Sequence, residues 1–285
     1  MVELFEFGMC NKFFPDSTLH AVISFFAVFI IGYLLGSLNF GVIISKLLYN
    51  DDVRNHGSKS AGMTNMLRTY GKLPAAMTFL GDILKTVAAV WIGALLLGMH
   101  NTVFYAKDGV IYSNLEELLR GLYEIYGEHS KIPSDLSSIG VVSYDGYAGM
   151  YIGGMASMIG HAFPVYYKLK GGKSVVAATA MILCTEPLIC LILLVMFVVI
   201  VAVTKFISLG SVMCIIIYPL ILNRMTGPGI HNLIAIFAML FVVYLHRANI
   251  KRLLNGQENK LSLKSRKKDA DNGGESENEN GEEST

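Results

Sequence analysis

The chain has 285 residues, 53% of them hydrophobic and only 16% charged, with a mean hydropathy of +0.50. A soluble domain of that composition would have an insoluble surface, so the chain is read as an integral membrane protein. Its 23 lysines and arginines against 22 acids leave a net charge of +1, which gives nucleic-acid binding no support.

In chain order, Ser17 to Ser45 contains no acid, lysine or arginine and exceeds the roughly 20 residues a spanning helix needs. It starts too far along the chain, with no basic flank, to resemble a cleaved signal peptide. Further spans are expected near 74–98, 148–166, 208–222 and 229–245. Val175 to Val203 reads as one long tilted helix or as two short ones hinged at Glu186-Pro187, where proline interrupts the hydrogen-bond ladder. The 99–147 segment holds seven acids and three bases. It reads as a small hairpin or lid-like insertion, with a short surface helix around Leu115 to Tyr126. Asp269 to Thr285 has almost no apolar residue and is expected to be a disordered, solvated tail. Cys10, Cys184, Cys190 and Cys214 are scattered without metal-type spacing and read as small hydrophobes.

Cations cluster in three places. Lys46, Arg54, Lys59, Arg68 and Lys72 precede the second span; Lys168, Lys170 and Lys173 follow the third; Arg247, Lys251 and Arg252 open a basic run that continues to Lys268. The positive-inside rule puts all three in the cytoplasm and leaves the N-terminus and the acidic 99–147 segment outside. An outside start and a cytoplasmic end require an odd number of crossings. Splitting the long run at Glu186-Pro187 gives seven, so the expected fold is an all-α polytopic membrane helix bundle of about seven transmembrane helices.

The most informative stretch runs from Gly160-His161-Ala162-Phe163-Pro164 through Lys168-Leu169-Lys170-Gly171-Gly172-Lys173-Ser174. Ammonium groups beside a glycine pair suit an anionic ligand, because glycine lets backbone N–H groups approach it closely. The Arg54–Lys72 and His246–Lys260 clusters repeat the theme and point to phosphate. Gly172-Lys173-Ser174 echoes the end of a nucleotide-binding P-loop, yet Tyr167 stands where that motif needs glycine and no strand precedes it. Asp82 and Lys85, one turn apart in an apolar run, form an ion pair or a charge support beneath the first loop.

These clusters carry a resemblance. Gly36-Ser37-Leu38-Asn39-Phe40-Gly41, the run from Arg54 to Arg68, Asp82-Ile83-Leu84-Lys85, Gly160 to Lys173, Ser208-Leu209-Gly210-Ser211 and His246 to Glu258 together resemble the bacterial acyl-phosphate:glycerol-3-phosphate acyltransferase family, the PlsY type. The likeness covers residues 17–98 and 148–260. It departs from the family at Lys59 (usually glycine), Ser60 (asparagine), Asn39 (proline), Ser174 (glycine) and Lys205 (arginine).

The resemblance implies transfer of an acyl group from acyl phosphate to the 1-hydroxyl of sn-glycerol 3-phosphate, giving lysophosphatidic acid and phosphate. This would occur in membrane lipid at the cytoplasmic side of a bacterial plasma membrane. Residues 1–260 would form the acyltransferase domain, with 99–147 an extracytoplasmic insertion and 261–285 a cytoplasmic tail. Ser58, Arg68, Lys173, His246 and Asn249 would be the catalytic set; Gly57, Thr64, Asn65, Gly171, Gly172 and Ser208 would contact phosphate or substrate; Asp82, Lys85, His161 and Glu258 would support them. No metal or organic cofactor is indicated. A transporter or channel for an anionic solute is the alternative, although its polar residues should lie mid-span and an internal repeat is lacking. An acyltransferase using thioesters usually carries His-x4-Asp, and none of the seven histidines has aspartate five positions on.

Overall fold

The computed structural model describes residues 18–97, 102–107, 110–112, 140–144, 147–227 and 229–261. The first predicted span is divided into α1 (Thr18–Ser37) and α2 (Phe40–Tyr49). Asn39 makes the break: fully buried and extended, it donates through Nδ2 to the His161 carbonyl (3.3 Å). The Leu38 carbonyl, left over by the break, accepts the Lys85 ammonium (2.7 Å), as a freed backbone group inside a membrane must find a partner.

α3 (Met63–Tyr70) is a short amphipathic helix, and Gly71 at φ +93 turns the chain into α4 (Lys72–Leu97). The third and fourth expected spans become α5 (Ala148–Ala162) and the pair α6 (Val175–Thr185) and α7 (Pro187–Thr204). The predicted hinge is where it was expected. Pro187 is tolerated because it occupies the first turn of α7, where its missing N–H is not needed. α8 (Ile207–Thr226), α9 (Ile230–Leu245) and α10 (Arg247–Leu254) complete the order, with a bend of 60° between the last two at His246.

Length and apolarity alone qualify four helices among the described residues as membrane spans, or five if the bent α9–α10 pair is one. α5 and α6, with 15 and 11 residues, are shorter than a bilayer crossing normally requires. The bundle is helical, and the strands fall in the insertion, where β1 (Thr102–Lys107), β2 (Val110–Tyr112) and β3 (Gly140–Tyr144) form an antiparallel sheet of order β2-β1-β3. Tyr105 lies opposite Tyr112, and Thr102 opposite Tyr144. The expected helix around Leu115 to Tyr126 and the tail from 262 on lie outside the described residues.

The bundle is packed in two manners. α5 lies against α1 and α4 through small residues: a Cβ on Gly36 would overlap the Ser157 carbonyl, and one on Gly93 the Gly149 carbonyl. Such contacts let helix backbones touch, which in lipid substitutes for a hydrophobic drive between helices. α6, α7, α8 and α9 meet instead through larger side chains, among them Ile182, Ile189, Leu193, Ile215, Tyr218 and Leu222.

Candidate active site

The first loop is held in shape mainly by its own side chains. Asp52 accepts from the Arg54 N–H (3.0 Å) and pairs with the Arg54 guanidinium (Nη2–Oδ2 2.6 Å), and Arg54 Nη1 then donates to the carbonyls of Tyr167 (3.0 Å) and Lys170 (2.8 Å). One arginine thereby ties the first loop to the second. Asn65, 1% exposed, donates through Nδ2 to the Val53, His56 and Ser60 carbonyls (2.9–3.0 Å) and accepts the Ser58 N–H (3.0 Å). Expected as a substrate contact, Asn65 is committed to clasping the loop. Gly57 (φ +53) passes so close to it that a Cβ would strike its Oδ1.

The glycine pair of the second loop is likewise held by contacts within the fold. Gly171 donates its N–H to the Ala162 carbonyl (3.1 Å) and Gly172 to that of His161 (3.0 Å), so these donors cap the end of α5 and are not free to cradle an anion. The absence of side chains matters all the same, since a Cβ on Gly172 would collide with His161 Nε2. Beneath the loop, Lys85 Nζ sits 2.7 Å from Asp82 Oδ1 and 3.0 Å from His161 Nδ1. All three residues are buried, and with Leu38 they knit α1, α4 and α5 together at the level where the loops leave the bundle.

The third segment brings His246 to the α9–α10 bend. Its Nδ1–H donates to the Val242 carbonyl (2.8 Å), which leaves Nε2 as the acceptor. Burial pushes its pKa down to about 4, with the Lys173 ammonium acting in the same direction. One turn on, Asn249 donates to Glu258 Oε1 (2.8 Å); Ser208 donates to the same oxygen (3.0 Å), and Arg252 Nε to Oε2 (2.8 Å). Burial alone would raise the Glu258 carboxyl, but these three donors outweigh it and hold its pKa below the ordinary carboxylate value. Burial likewise pushes the Lys173 ammonium down to about 8, Arg252 and Arg68 lowering it further against the pull of Glu258.

Two cavities open among these groups. The larger, about 280 Å³, is lined at one end by Ser58, Arg68, Lys173, His246 and Asn249 and at the other by Leu193, Leu194, Phe197 and Ile215. The smaller, about 240 Å³, is lined by Lys59, Gly171, Gly172, Arg247 and Arg252. Ser58, Ser60, Lys173 and Asn249 belong to both. The Asn249 Oδ1 atom is buried without a hydrogen-bond partner.

All five residues expected to be catalytic thus converge on one cavity, as do Thr64, Asn65, Ser208, Asp82, His161 and Glu258. Gly57 and Lys85 line neither cavity and act from behind. The sequence gives no site role to Arg54, because two of its partners, besides Asp52, are backbone carbonyls more than a hundred positions away. Arg252 was legible in principle, being three residues after Asn249 on one helical face.

The sequence pattern described as glycerol-3-phosphate acyltransferase matches residues 26–256. A protein called glycerol-3-phosphate acyltransferase from Clostridioides difficile (strain 630) is 33% identical over 85% of this chain and 98% of its own length. One of the same name from Finegoldia magna is 34% identical over 81% and 93%. Among solved structures, PlsY, an integral membrane glycerol 3-phosphate acyltransferase, superposes in its glycerol 3-phosphate form with a TM-score of 0.62 and 27% identity, covering 84% of this chain and 96% of that one. Its lysophosphatidic acid form gives a TM-score of 0.60 at 26% identity.

Proposed function

The chain belongs to the glycerol-3-phosphate acyltransferase family, and from that premise we propose that its two cavities bring a lipid acyl phosphate and glycerol 3-phosphate together at the cytoplasmic face of the membrane. The enzyme acylates glycerol 3-phosphate to lysophosphatidic acid. The observation that carries the reading is the shared wall: an apolar-ended cavity and a small cationic one meet at Ser58, Ser60, Lys173 and Asn249.

In this reading the acyl chain lies along Leu193, Phe197 and Ile215, and the phosphate next to the acyl carbonyl is held by Ser58, Arg68 and Lys173. Glycerol 3-phosphate enters the cationic cavity with its 1-hydroxyl directed at the shared wall, where Asn249 Oδ1 and His246 Nε2 are acceptors for its proton. The hydroxyl oxygen attacks the acyl carbon, the bond from that carbon to the phosphate oxygen breaks, and phosphate leaves. The hydroxyl proton has two routes, His246 or the departing phosphate. A histidine with a pKa of about 4 is a weak base, so it positions the alcohol while phosphate takes the proton. His246→Gln should therefore keep turnover within about threefold at saturating substrates; a loss on the order of 10²-fold or more would make histidine the base.

The topology is part of the same proposal: seven crossings, N-terminus outside, C-terminus cytoplasmic, with residues 1–260 the catalytic unit, 99–147 an outer insertion and 261–285 a tail. The helix break at Glu186 supports the odd count. The test of function offers purified protein labelled glycerol 3-phosphate with either acyl phosphate or acyl thioester. Lysophosphatidic acid from acyl phosphate alone is expected. Product from the thioester alone, or uptake into vesicles without acylation, would overturn the reading.

A further inference from the structure

Lysine 59 stands at φ +56, in the left-handed region that an L side chain enters only under strain and glycine enters freely. Its N–H closes the turn onto the His56 carbonyl (2.9 Å), so the backbone conformation belongs to the loop and would persist with glycine in place. Unlike Arg252, which is paired with Glu258, Lys59 enters no ion pair among the described residues. Its side chain borders the smaller cavity together with Lys173, Arg247 and Arg252, and none of the residues lining that cavity is acidic. With Arg252 offset by Glu258, Lys59, Lys173 and Arg247 remain as three cations without an ion pair among the described residues, a positive field that concentrates and holds a small anion. Asn249, 4% exposed and with Oδ1 unpartnered, borders the same space and marks it as a place where a polar ligand completes the hydrogen bonding.

The only large apolar side chain on that wall is Leu245, so the ligand has no acyl tail; it is a compact, phosphorylated, hydroxyl-bearing molecule. We propose that Lys59 is an affinity-determining residue for the water-soluble substrate, contributing its ammonium to the phosphate of glycerol 3-phosphate. This rests on the function proposed above and adds a contact at a position where the family usually has glycine.

The experiment compares wild type with Lys59→Gly, Lys59→Gln and Lys59→Arg. Calorimetric titration with glycerol 3-phosphate in the absence of donor is paired with steady-state KM values for both substrates. Lys59→Gly and Lys59→Gln should weaken glycerol 3-phosphate binding roughly fivefold, a modest figure because the side chain is exposed and screened. Lys59→Arg should stay within about twofold, and the KM for acyl phosphate should move less than that for glycerol 3-phosphate. Lys59→Gly should be at least as heat-stable as wild type, so weaker binding would not reflect misfolding. Unchanged glycerol 3-phosphate affinity in both Lys59→Gly and Lys59→Gln, or a rise confined to the acyl phosphate KM, would overturn the role of Lys59 and leave the function standing. If wild type itself neither binds nor acylates glycerol 3-phosphate, both fall.

Discussion

The α1–α4–α5 side of the bundle and the α6–α7–α8 side bury their residues by opposite means. On the first, backbone lies on backbone at Gly36, Gly93, Gly149 and Gly153, and a buried Asp82–Lys85–His161 cluster joins α4 to α5 and, through the Leu38 carbonyl, to the end of α1. On the second, large apolar side chains surround a cavity that reaches Phe197 and Ile215. The difference teaches where each requirement of the chemistry is met. In the proposed function the loops carrying Ser58, Arg68 and Lys173 must be held to within a fraction of an ångström, and they adjoin the side that has no room to shift. A fatty chain varies in length and shape, and in the proposed function it takes the side lined by deformable side chains.

That contrast can be broken by filling space on the tight side. Gly93→Val would drive methyl groups into the Gly149 carbonyl, and backbone cannot move aside as a side chain would. A loss of about 3 kcal/mol or more is expected, read as disappearance of the monodisperse detergent-solubilised protein in size-exclusion chromatography. Survival of Gly93→Val at wild-type yield would show that the helices are looser than described.

The next largest effect concerns a loop carried by the tight side. Lys173→Ala should lower kcat/KM on the order of 10²- to 10³-fold, since a positioned cation beside developing charge is removed. Its pH profile sharpens the point. The Lys173 pKa is lowered to about 8, so the ammonium is present below that pH and is lost as pH rises through it. Activity should decline on an alkaline limb near pH 8, and Lys173→Arg, which does not deprotonate there, should move that limb upward. An identical limb in both proteins would assign it to another group.

Glu258→Gln should cost roughly tenfold in kcat/KM. The amide can still accept from Asn249 or Ser208 but cannot neutralise Arg252, so the KM for glycerol 3-phosphate should carry most of the change. The smallest effect belongs to the loose side. Phe197→Ala should enlarge the apolar end of the cavity and shift chain-length preference a few-fold toward longer acyl phosphates, with folding and the shortest donors little affected. Equal relative rates across a donor series would remove the acyl chain from that cavity.

Much of this organisation was legible in the sequence. Arg54–Arg68, Gly160–Lys173 and His246–Glu258 announce themselves as polar clusters between apolar runs, and they do converge on one cavity. Pro187 announces the helix break because a missing N–H has few tolerable positions. What escaped depends on where backbone groups point. Nothing in Gly171-Gly172 reveals that their N–H groups are spent on the carbonyls of Ala162 and His161, and nothing in Asn65 reveals that its amide will close the first loop rather than face a substrate. Asn39 was the one amide side chain within the first apolar run, a signal for the α1–α2 break that the length of the run outweighed. The positive-φ positions at Lys59, Ser174 and Lys205 coincide with departures from the family pattern, and only the backbone shows that two of them, Lys59 and Ser174, exchange a conformationally free residue for a constrained one.

Glu258 lies beyond the last described helix, yet its carboxylate joins Ser208 at the start of α8 to Asn249 and Arg252 on α10. The stretch after α10 thereby reaches back and fastens the start of α8. Chains shortened to end before Glu258 should therefore still insert but bind glycerol 3-phosphate more weakly, because Arg252 and Asn249 have lost the carboxylate that orients them.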